Sequence, residues 1–271
     1  MAASPEPETA ADGAVYGFVG TGAITAALVE GLHAGDGADP GTDPPTVYLS
    51  PRNRGVAQSL SHRFPDVHVC ASNQDVLDRV TSVVVAVRPQ VAEEVLAELA
   101  FAPRHVAISV VAGLRLDRLR AWVAPATSIA RAIPLPAAAR RRSLTALHPD
   151  HPAARGLFDR VGESLVTEDE AAFEAIAAVT ATFAAHLDYL ATIAGWLADH
   201  SVDDRAATAY LAHVFGQLGE ALPGAPSFAA LTGEYMTPGG INEQFLADLR
   251  AAGTPDAVRR ALDRVLARLQ G

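Results

Sequence analysis

The chain has 271 residues, 49% of them hydrophobic, and a formal net charge of −10. That is enough apolar matter for one large or two modest packed units, and the acidic balance argues against nucleic-acid phosphates as the main ligand. Cys70 is the one cysteine, which excludes an internal disulfide, a cysteine-built zinc site and a Cys-pair redox motif, and suits a cytoplasmic protein.

Residues 1–14, "MAASPEPETAADGA", are rich in Pro, Ala and acid and have neither the basic start nor the apolar run of a signal peptide; a disordered tail is expected. From Val15 to about Leu147, short β-branched runs alternate with amphipathic segments: "VYGFVG", "TVYLS", "VHVC", "SVVVAV", "HVAISVV", "TSIARAI" and "SLTALH". Runs that are apolar on every side suit strands covered on both faces, so a parallel sheet flanked by helices is expected over 15–165. The apolar runs are far shorter than the roughly 20 residues a membrane crossing needs. No membrane partner is expected. The stretch 33–46, "HAGDGADPGTDPPT", is too rich in Gly, Pro and Asp to be regular and reads as a surface loop. After Val166 the β-branched runs stop, and Ala- and Leu-rich segments with helical spacing follow at about 169–184, 186–200, 203–222 and 255–269. The part 166–271 therefore reads as all helix. Its segments are short of charge on more than one face, "AAFEAIAAVTATFAAHL" above all, which points to a helical dimer interface.

The first strand leads into "GFVGTGAITAALVEGL", with Gly20, Gly22 and Thr25 at the G-x-G-x-x-G/A positions of a strand-to-helix turn. In that setting the glycines allow a tight turn and a close approach, and the helix start offers N–H groups and its dipole to a pyrophosphate, here through Gly20, Gly22, Ala23 and Ile24. Thr25 replaces a small residue; its hydroxyl is expected either to bond locally or to loosen the packing. The second strand ends in "YLSPRNRG". An acid there would bind a ribose 2′-hydroxyl, but none is present. Ser50, Arg52 and Asn53 instead suit a 2′-phosphate, so NADPH is the expected cofactor, with NADH as the alternative.

With those residues in place the chain resembles the pyrroline-5-carboxylate reductase family, nearly end to end. "GFVGTGAI" is similar to the family's glycine turn. "SNQDVL" (72–77) resembles the segment whose Asn, here Asn73, reaches the cofactor. "VVVAVRPQ" (83–90) resembles a strand ending in Val-Lys-Pro-Gln, with Arg88 for Lys, and "ISVVAGL" (108–114) resembles the Ser-x-x-Ala-Gly segment near the nicotinamide. "TPGGIN" (237–242) resembles the Ser/Thr-Pro-Gly-Gly-Thr-Thr substrate loop. The resemblance implies an α/β fold: an N-terminal Rossmann dinucleotide-binding domain, then an all-α C-terminal dimerisation domain that interlocks with a second subunit, with higher oligomers open. It implies cofactor contacts by Ala86, Val87, Arg88, Pro89, Ala112 and Gly113 as well. Three departures fall on the substrate side. "RAIPLPAA" keeps Arg131 and Pro134 of Arg-x-Met-Pro-Asn-Thr-Pro but loses the Asn and Thr. "TATFAAH" stands for Ser-Gly-Ser-Gly-Pro-Ala-Tyr and keeps hydroxyls at Thr180 and Thr182, and Ile241 and Asn242 replace two Thr.

The reaction implied is reduction of a C=N bond in a small cyclic imino acid, with 1-pyrroline-5-carboxylate to proline as the best guess. Another imine, ketimine or carbonyl substrate, or a non-catalytic NADP-binding sensor, are the alternatives. Such a reduction needs mainly positioning, because an iminium is already activated by its proton. In "TPGG", Thr237 reads as a helix N-cap and Pro238 as the first helical residue, with the following N–H groups facing a substrate carboxylate; Thr237, Gly239, Gly240 and Asn242 are the candidate substrate residues. Thr182, Thr180 and His186 are the candidate proton donors or relays, His186 sharing a helix face with Tyr189. "HPDHP" (148–152) is denied a helix by its prolines and lacks a third ligand, so no metal is expected.

Overall fold

A computed structural model describes residues 13–34 and 43–270. Most of the tail expected over 1–14 and of the loop expected over 33–46 lies outside the described residues. The chain divides into two compact units, one running to Ala177 and taking in the last residues from Arg268, the other covering Ala178–Ala267.

The first unit is built on one sheet of eight strands in the order β3-β2-β1-β4-β5-β6-β7-β8. The strands are β1 (Val15–Val19), β2 (Thr46–Leu49), β3 (Val67–Val69), β4 (Ser82–Val85), β5 (Val106–Ser109), β6 (Ser128–Ile133), β7 (Ser143–His148) and β8 (Gly162–Val166). Between them run α1 (Ala23–Leu32), α2 (Arg54–Arg63), α3 (Asn73–Arg79), α4 (Ala92–Ala97), α5 (Leu116–Trp122) and α6 (Pro152–Phe158). Strand side chains alternate between two covers. Phe18, Val84 and Ile108 pack on one side with Leu28 of α1 and Phe158 of α6. Val19, Val83 and Val85 pack on the other with Leu77, Leu96 and Leu119. Both faces are thus buried, which is why these strands are apolar at every position; each such side chain contributes about 1.5 to 3 kcal/mol of transfer free energy.

The seven expected strand runs are β1 to β7, and β1 to β6 pair in parallel. The expectation of a parallel sheet fails at its end: β7 lies antiparallel to β6, and β8 pairs in parallel with β7. Strand β8, "GESLV", escaped the sequence reading because only every second residue is half-buried and the others are exposed, as befits an edge strand with one wet face.

The second half is helical, as expected. It comprises α7 (Glu170–Val179), α8 (Thr182–Asp199), α9 (Asp204–Ala221), α10 (Phe228–Tyr235), α11 (Ile241–Ala251) and α12 (Thr254–Gln270). Asp203 caps α9 by accepting from the Arg205 and Ala206 N–H groups, and Ser227 caps α10 by accepting from Ala230. Among the described residues of α8, α11 and α12 none is buried. The apolar side chains they leave in water include Phe183, Leu187, Trp196 and Ile241. An open groove of about 500 Å³ in the second unit is lined by Val214, Leu218, Leu222, Phe228, Tyr235 and Leu246 among others.

By length and composition the stretch Glu170–Asp199 is apolar enough to cross a membrane, with a mean hydropathy of 1.4, although polar residues interrupt its apolar runs. Two features oppose a span. The helix is interrupted between Val179 and Thr182, and Glu174 is 1% exposed inside the first unit, paired there with Arg131.

Arg131, on β6, is itself 2% exposed. Its Nη1 donates to Glu170 Oε1 at 2.6 Å and to Glu174 Oε1 at 3.1 Å, and its guanidinium lies 4.6 Å from the centre of the Phe173 ring. Arg115, at the cap of α5, adds longer pairings of 3.4 Å to Glu174 and 3.6 Å to Glu170. These contacts fasten α7 to the sheet. Removing one partner of a buried pair leaves the other charge stranded. Arg131→Ala should therefore destabilise the protein by about 3 to 5 kcal/mol in urea denaturation, while Arg115→Ala, at a 38% exposed side chain, should cost about 1 kcal/mol or less.

Candidate active site

The glycine turn joins β1 to α1. Gly20 has φ +104, and a Cβ there would lie 2.5 Å from the Ala86 carbonyl oxygen, so only glycine allows the turn to press against the end of β4. Three hydroxyls lock it. The Gly20 N–H donates to Ser50 Oγ at 2.9 Å, Thr21 Oγ1 donates to the Ser50 carbonyl at 2.9 Å, and the two hydroxyl oxygens are 3.1 Å apart. Thr25 Oγ1 donates to the Gly20 carbonyl at 2.7 Å and is fully buried. Of the two expectations for Thr25, local bonding is the one observed.

Ser50 was expected at a ribose phosphate. It is instead 0% exposed and sits beneath the turn with its hydroxyl committed to Gly20 and Thr21, so it shapes the cradle from below. Thr21, not among the expected site residues, belongs to the same lock; its signal is a hydroxyl between the two glycines.

Above the lock the start of α1 is open. Gly22 is the N-cap, no side chain caps the helix, no acid lies in its first turn, and a Cβ at Gly22 would meet nothing within 4 Å. Ala23 and Ile24 begin the helix. Unpaired first-turn N–H groups beside free space fit a pyrophosphate. The turn stands between β2 and β4, where β1's neighbours follow it on one side and continue the sheet on the other, the switch point at which such sheets bind ligands.

Other expected cofactor residues rim the same strand ends. Arg52 and Asn53 are exposed after β2, and Asn53 adopts a left-handed φ of 62 as N-cap of α2. Ala86, Val87, Arg88 and Pro89 follow β4, with Ala86 and Val87 half-buried and Arg88 and Pro89 exposed. Ala112 and Gly113 follow β5, Gly113 with φ +72. Asn73 starts α3 beyond β3, half-buried beside the capping Ser72.

The expected proton-handling residues lie in the second unit. Thr182 opens α8, and its hydroxyl donates to the Val179 carbonyl at 2.7 Å. That hydrogen is committed, which leaves Thr182 Oγ1 to accept. Thr180 precedes the helix, its carbonyl accepting from Phe183 at 3.4 Å. His186, one helical turn beyond Thr182, is exposed and forms an aromatic trio, 6.4 Å from Tyr189 and 5.9 Å from Phe215 between ring centres. The shared face of His186 and Tyr189 was expected; Phe215 was not. His148 and His151 each use Nδ1 in a hydrogen bond, and His151 caps α6, in which Pro152 is the first residue, so that proline starts a helix where none was expected.

The "TPGG" loop departs from its expected form. Helix α11 begins at Ile241 with Gly240 as N-cap, so Thr237 is not the cap and Pro238 is not helical. Thr237 to Gly240 instead form a tight turn: the Gly240 N–H donates to the Thr237 carbonyl at 2.8 Å, and Gly239 takes φ +73 at the third position, where only glycine is comfortable. The Gly239 N–H donates to Glu243 Oε2 at 2.6 Å, and Asn242 Nδ2 donates to the Tyr235 carbonyl at 3.0 Å. Glu243 was not singled out from the sequence. The signal lay in its spacing, three residues past the cap, as in a capping box.

The lock beneath the glycine turn carries a test. Ser50→Ala removes the acceptor of a buried N–H, which costs about 1 to 3 kcal/mol. The ligand-free protein should lose that stability in denaturant titration and bind dinucleotide more weakly; unchanged stability with weakened binding would return Ser50 to direct cofactor contact.

Residues 15–113, from β1 through the turn after β5, match the family model described as NADP oxidoreductase coenzyme F420-dependent. A pyrroline-5-carboxylate reductase of Pseudomonas aeruginosa is 26% identical over 260 residues, 91% of this chain and 92% of the relative. The fold is similar to that of the Streptococcus pyogenes 1-pyrroline-5-carboxylate reductase, with a TM-score of 0.78 at 22% identity over 94% of this chain and 98% of the other. It is similar as well to that of the Plasmodium falciparum pyrroline carboxylate reductase with NADP bound, with a TM-score of 0.77 at 15% identity over 95% and 97% of the two chains. The chain is similar over nine-tenths of its length to a pyrroline-5-carboxylate reductase, and it is an NAD(P)H-dependent oxidoreductase with a Rossmann-type N-terminal domain.

Proposed function

We propose that the chain reduces the C=N bond of a small imine with NADPH, the reaction of which 1-pyrroline-5-carboxylate to proline is the reference case. The observation that carries this reading is the open, uncapped start of α1 above a locked glycine turn, in a chain alike over nine-tenths of its length to a pyrroline-5-carboxylate reductase. When bound, NADPH supplies the hydride that, with one proton on nitrogen, converts C=N to CH–NH. The chain's part is to hold and orient. Gly20, Gly22, Ala23 and Ile24 offer backbone to the pyrophosphate. Arg52 and Asn53 flank the 2′-phosphate; Arg52 is exposed with no acid in the turn around it, which favours NADPH over NADH. Asn73 and the 86–89 and 112–113 turns line the remaining length. With its own hydrogen given to Val179, Thr182 serves as acceptor for an iminium N–H, and His186 is the nearest titratable side chain on that helix.

The unburied faces of α8, α11 and α12 are covered by a second copy of the chain. Two observations favour this over a bilayer: the stretch that is long enough is broken at Thr180 and Ala181, and its first part is pinned to the sheet through Glu174. A cytoplasmic homodimer accounts for both.

Spectrophotometric NADPH oxidation over a panel of cyclic imines and keto acids tests the activity; binding of NADPH with no oxidation across the panel would refute it and leave a cofactor-binding sensor. Arg52→Ala should weaken NADPH binding about 10- to 100-fold, the worth of a charge-assisted bond, and NADH binding less than about threefold; equal losses would remove Arg52 from the phosphate. Light scattering should give a dimer for the wild type and monomer for Phe183→Asp with Leu187→Asp, in which two exposed apolar side chains become charged.

A further inference from the structure

We infer that Glu170 is a positioning residue for the nicotinamide half of the cofactor, acting through the turn between β5 and α5; this rests on the cofactor placement proposed above, with the 2′-phosphate at Arg52. The paired residues Val19, Val85, Ser109 and Arg131 form one row across β1, β4, β5 and β6. Neighbouring strands lie about 4.8 Å apart, so the end of β5 stands about 10 Å from the glycine turn that follows Val19. A sheet whose strands run 3-2-1-4-5-6 carries one nucleotide on each half. With the first over β1 and β2, the second lies over β4 and β5.

The turn at that place, residues 110–115, is held at both ends. At its start Ser109 Oγ accepts from the Val111 N–H at 3.3 Å. At its end the first N–H of α5, that of Leu116, donates to Glu170 Oε1 at 2.8 Å. The N-cap residue, Arg115, supplies no side-chain acceptor of its own. Between the two anchors Val111 and Leu114 are buried in the core, and Ala112 is exposed. All of these residues belong to the first unit.

Fastening α7 to the sheet does not account for the Leu116 bond. Arg131 already binds Glu174 at 3.1 Å, and Arg115 reaches Glu174 at 3.4 Å. What Glu170 adds is a backbone contact. The oxygen that accepts from Leu116 also accepts from Arg131 Nη1 at 2.6 Å, so one atom fixes the end of the turn relative to β6. A reacting ring gains from such a wall, because a misplacement of about 1 Å costs on the order of 100-fold in rate.

The test is equilibrium titration of the full chain with NADPH and with 2′-phospho-ADP-ribose, which keeps the 2′-phosphate and pyrophosphate and lacks the nicotinamide. The wild type should bind NADPH about tenfold tighter than the fragment or better. Glu170→Ala, which leaves Arg131 its Glu174 partner, should cut that preference about tenfold while the fragment's affinity stays within about twofold. Glu170→Gln keeps a neutral acceptor, roughly half as strong as a charged one, and should cut it about threefold; it carries the comparison should Glu170→Ala fail to fold. At saturation the fluorescence anisotropy of bound dihydronicotinamide should fall in the same order. Equal losses for both ligands, a preference unchanged in the variants, or a wild type that binds the two alike would make Glu170 a helix cap only and overturn the inference. Binding of neither ligand by the wild type would overturn it together with the cofactor placement. The expected affinities in a chain that oxidises NADPH with no imine would uphold it and refute the proposed reduction alone.

Discussion

The contact on which the first unit depends is the approach of Gly20 to the backbone of Ala86. A side chain at position 20 would overlap the Ala86 carbonyl and reach within 2.9 Å of the Val87 nitrogen. The turn after β1 and the turn after β4 are therefore one object. Because β1 and β4 are neighbours in register, with Val19 opposite Val85, the two turns emerge at the same sheet edge, and the groups that follow them, α1 N–H groups from one and the 86–89 segment from the other, necessarily border the same space. The hydroxyls of Ser50, Thr21 and Thr25 then fix the turn without occupying that space. Selection of a cofactor-sized cradle follows from the backbone; the side chains below it supply stiffness.

Arg131 shows how a residue matched by family resemblance can have a structural part. The resemblance places it in a segment whose other polar members, an Asn and a Thr, are absent here. In the structure its charge is consumed by Glu170 and Glu174 and its flat face by Phe173. Its Nε is buried with no hydrogen-bond partner among the described residues. A buried ion pair of this kind is a weak contributor to net stability but a strong constraint on geometry, since each wrong arrangement strands a charge. It sets where α7 leaves the sheet, and α7 is the element through which the chain passes to its helical half.

The fold was legible where the physics is local. Strands β1 to β7 announce themselves because burial on both faces demands apolar residues, and α8, α9 and α12 because their Ala- and Leu-rich spacing is helical, with Asp203 capping α9. Strand β8 was not legible, since "GESLV" opens on Gly, Glu and Ser and each of its faces mixes polar and apolar residues. The reversal at β7 was not legible either, because strand direction is decided by connections and not by composition. In the site, Gly20 and Gly22 could be read from spacing. Ser50 was identified but misplaced: sequence distance from the second strand says that a residue is near the cofactor edge, not whether its side chain points up to a ligand or down to a turn thirty residues earlier.

The "TPGG" loop illustrates the same limit more sharply. Pro followed by two glycines before a helix has two physical explanations, a backbone that must pass through φ > 0 and a surface that must admit a ligand, and both select the same residues. Here the first explanation is sufficient for each glycine, so the glycines no longer carry information about a ligand. The information moves to the side chains around them. Asn242 turns back to Tyr235, Ile241 stands in solvent, and Glu243 accepts from the Gly239 N–H. Bonds within the chain thus hold the turn itself, and the first-turn N–H groups of α11 begin beyond it.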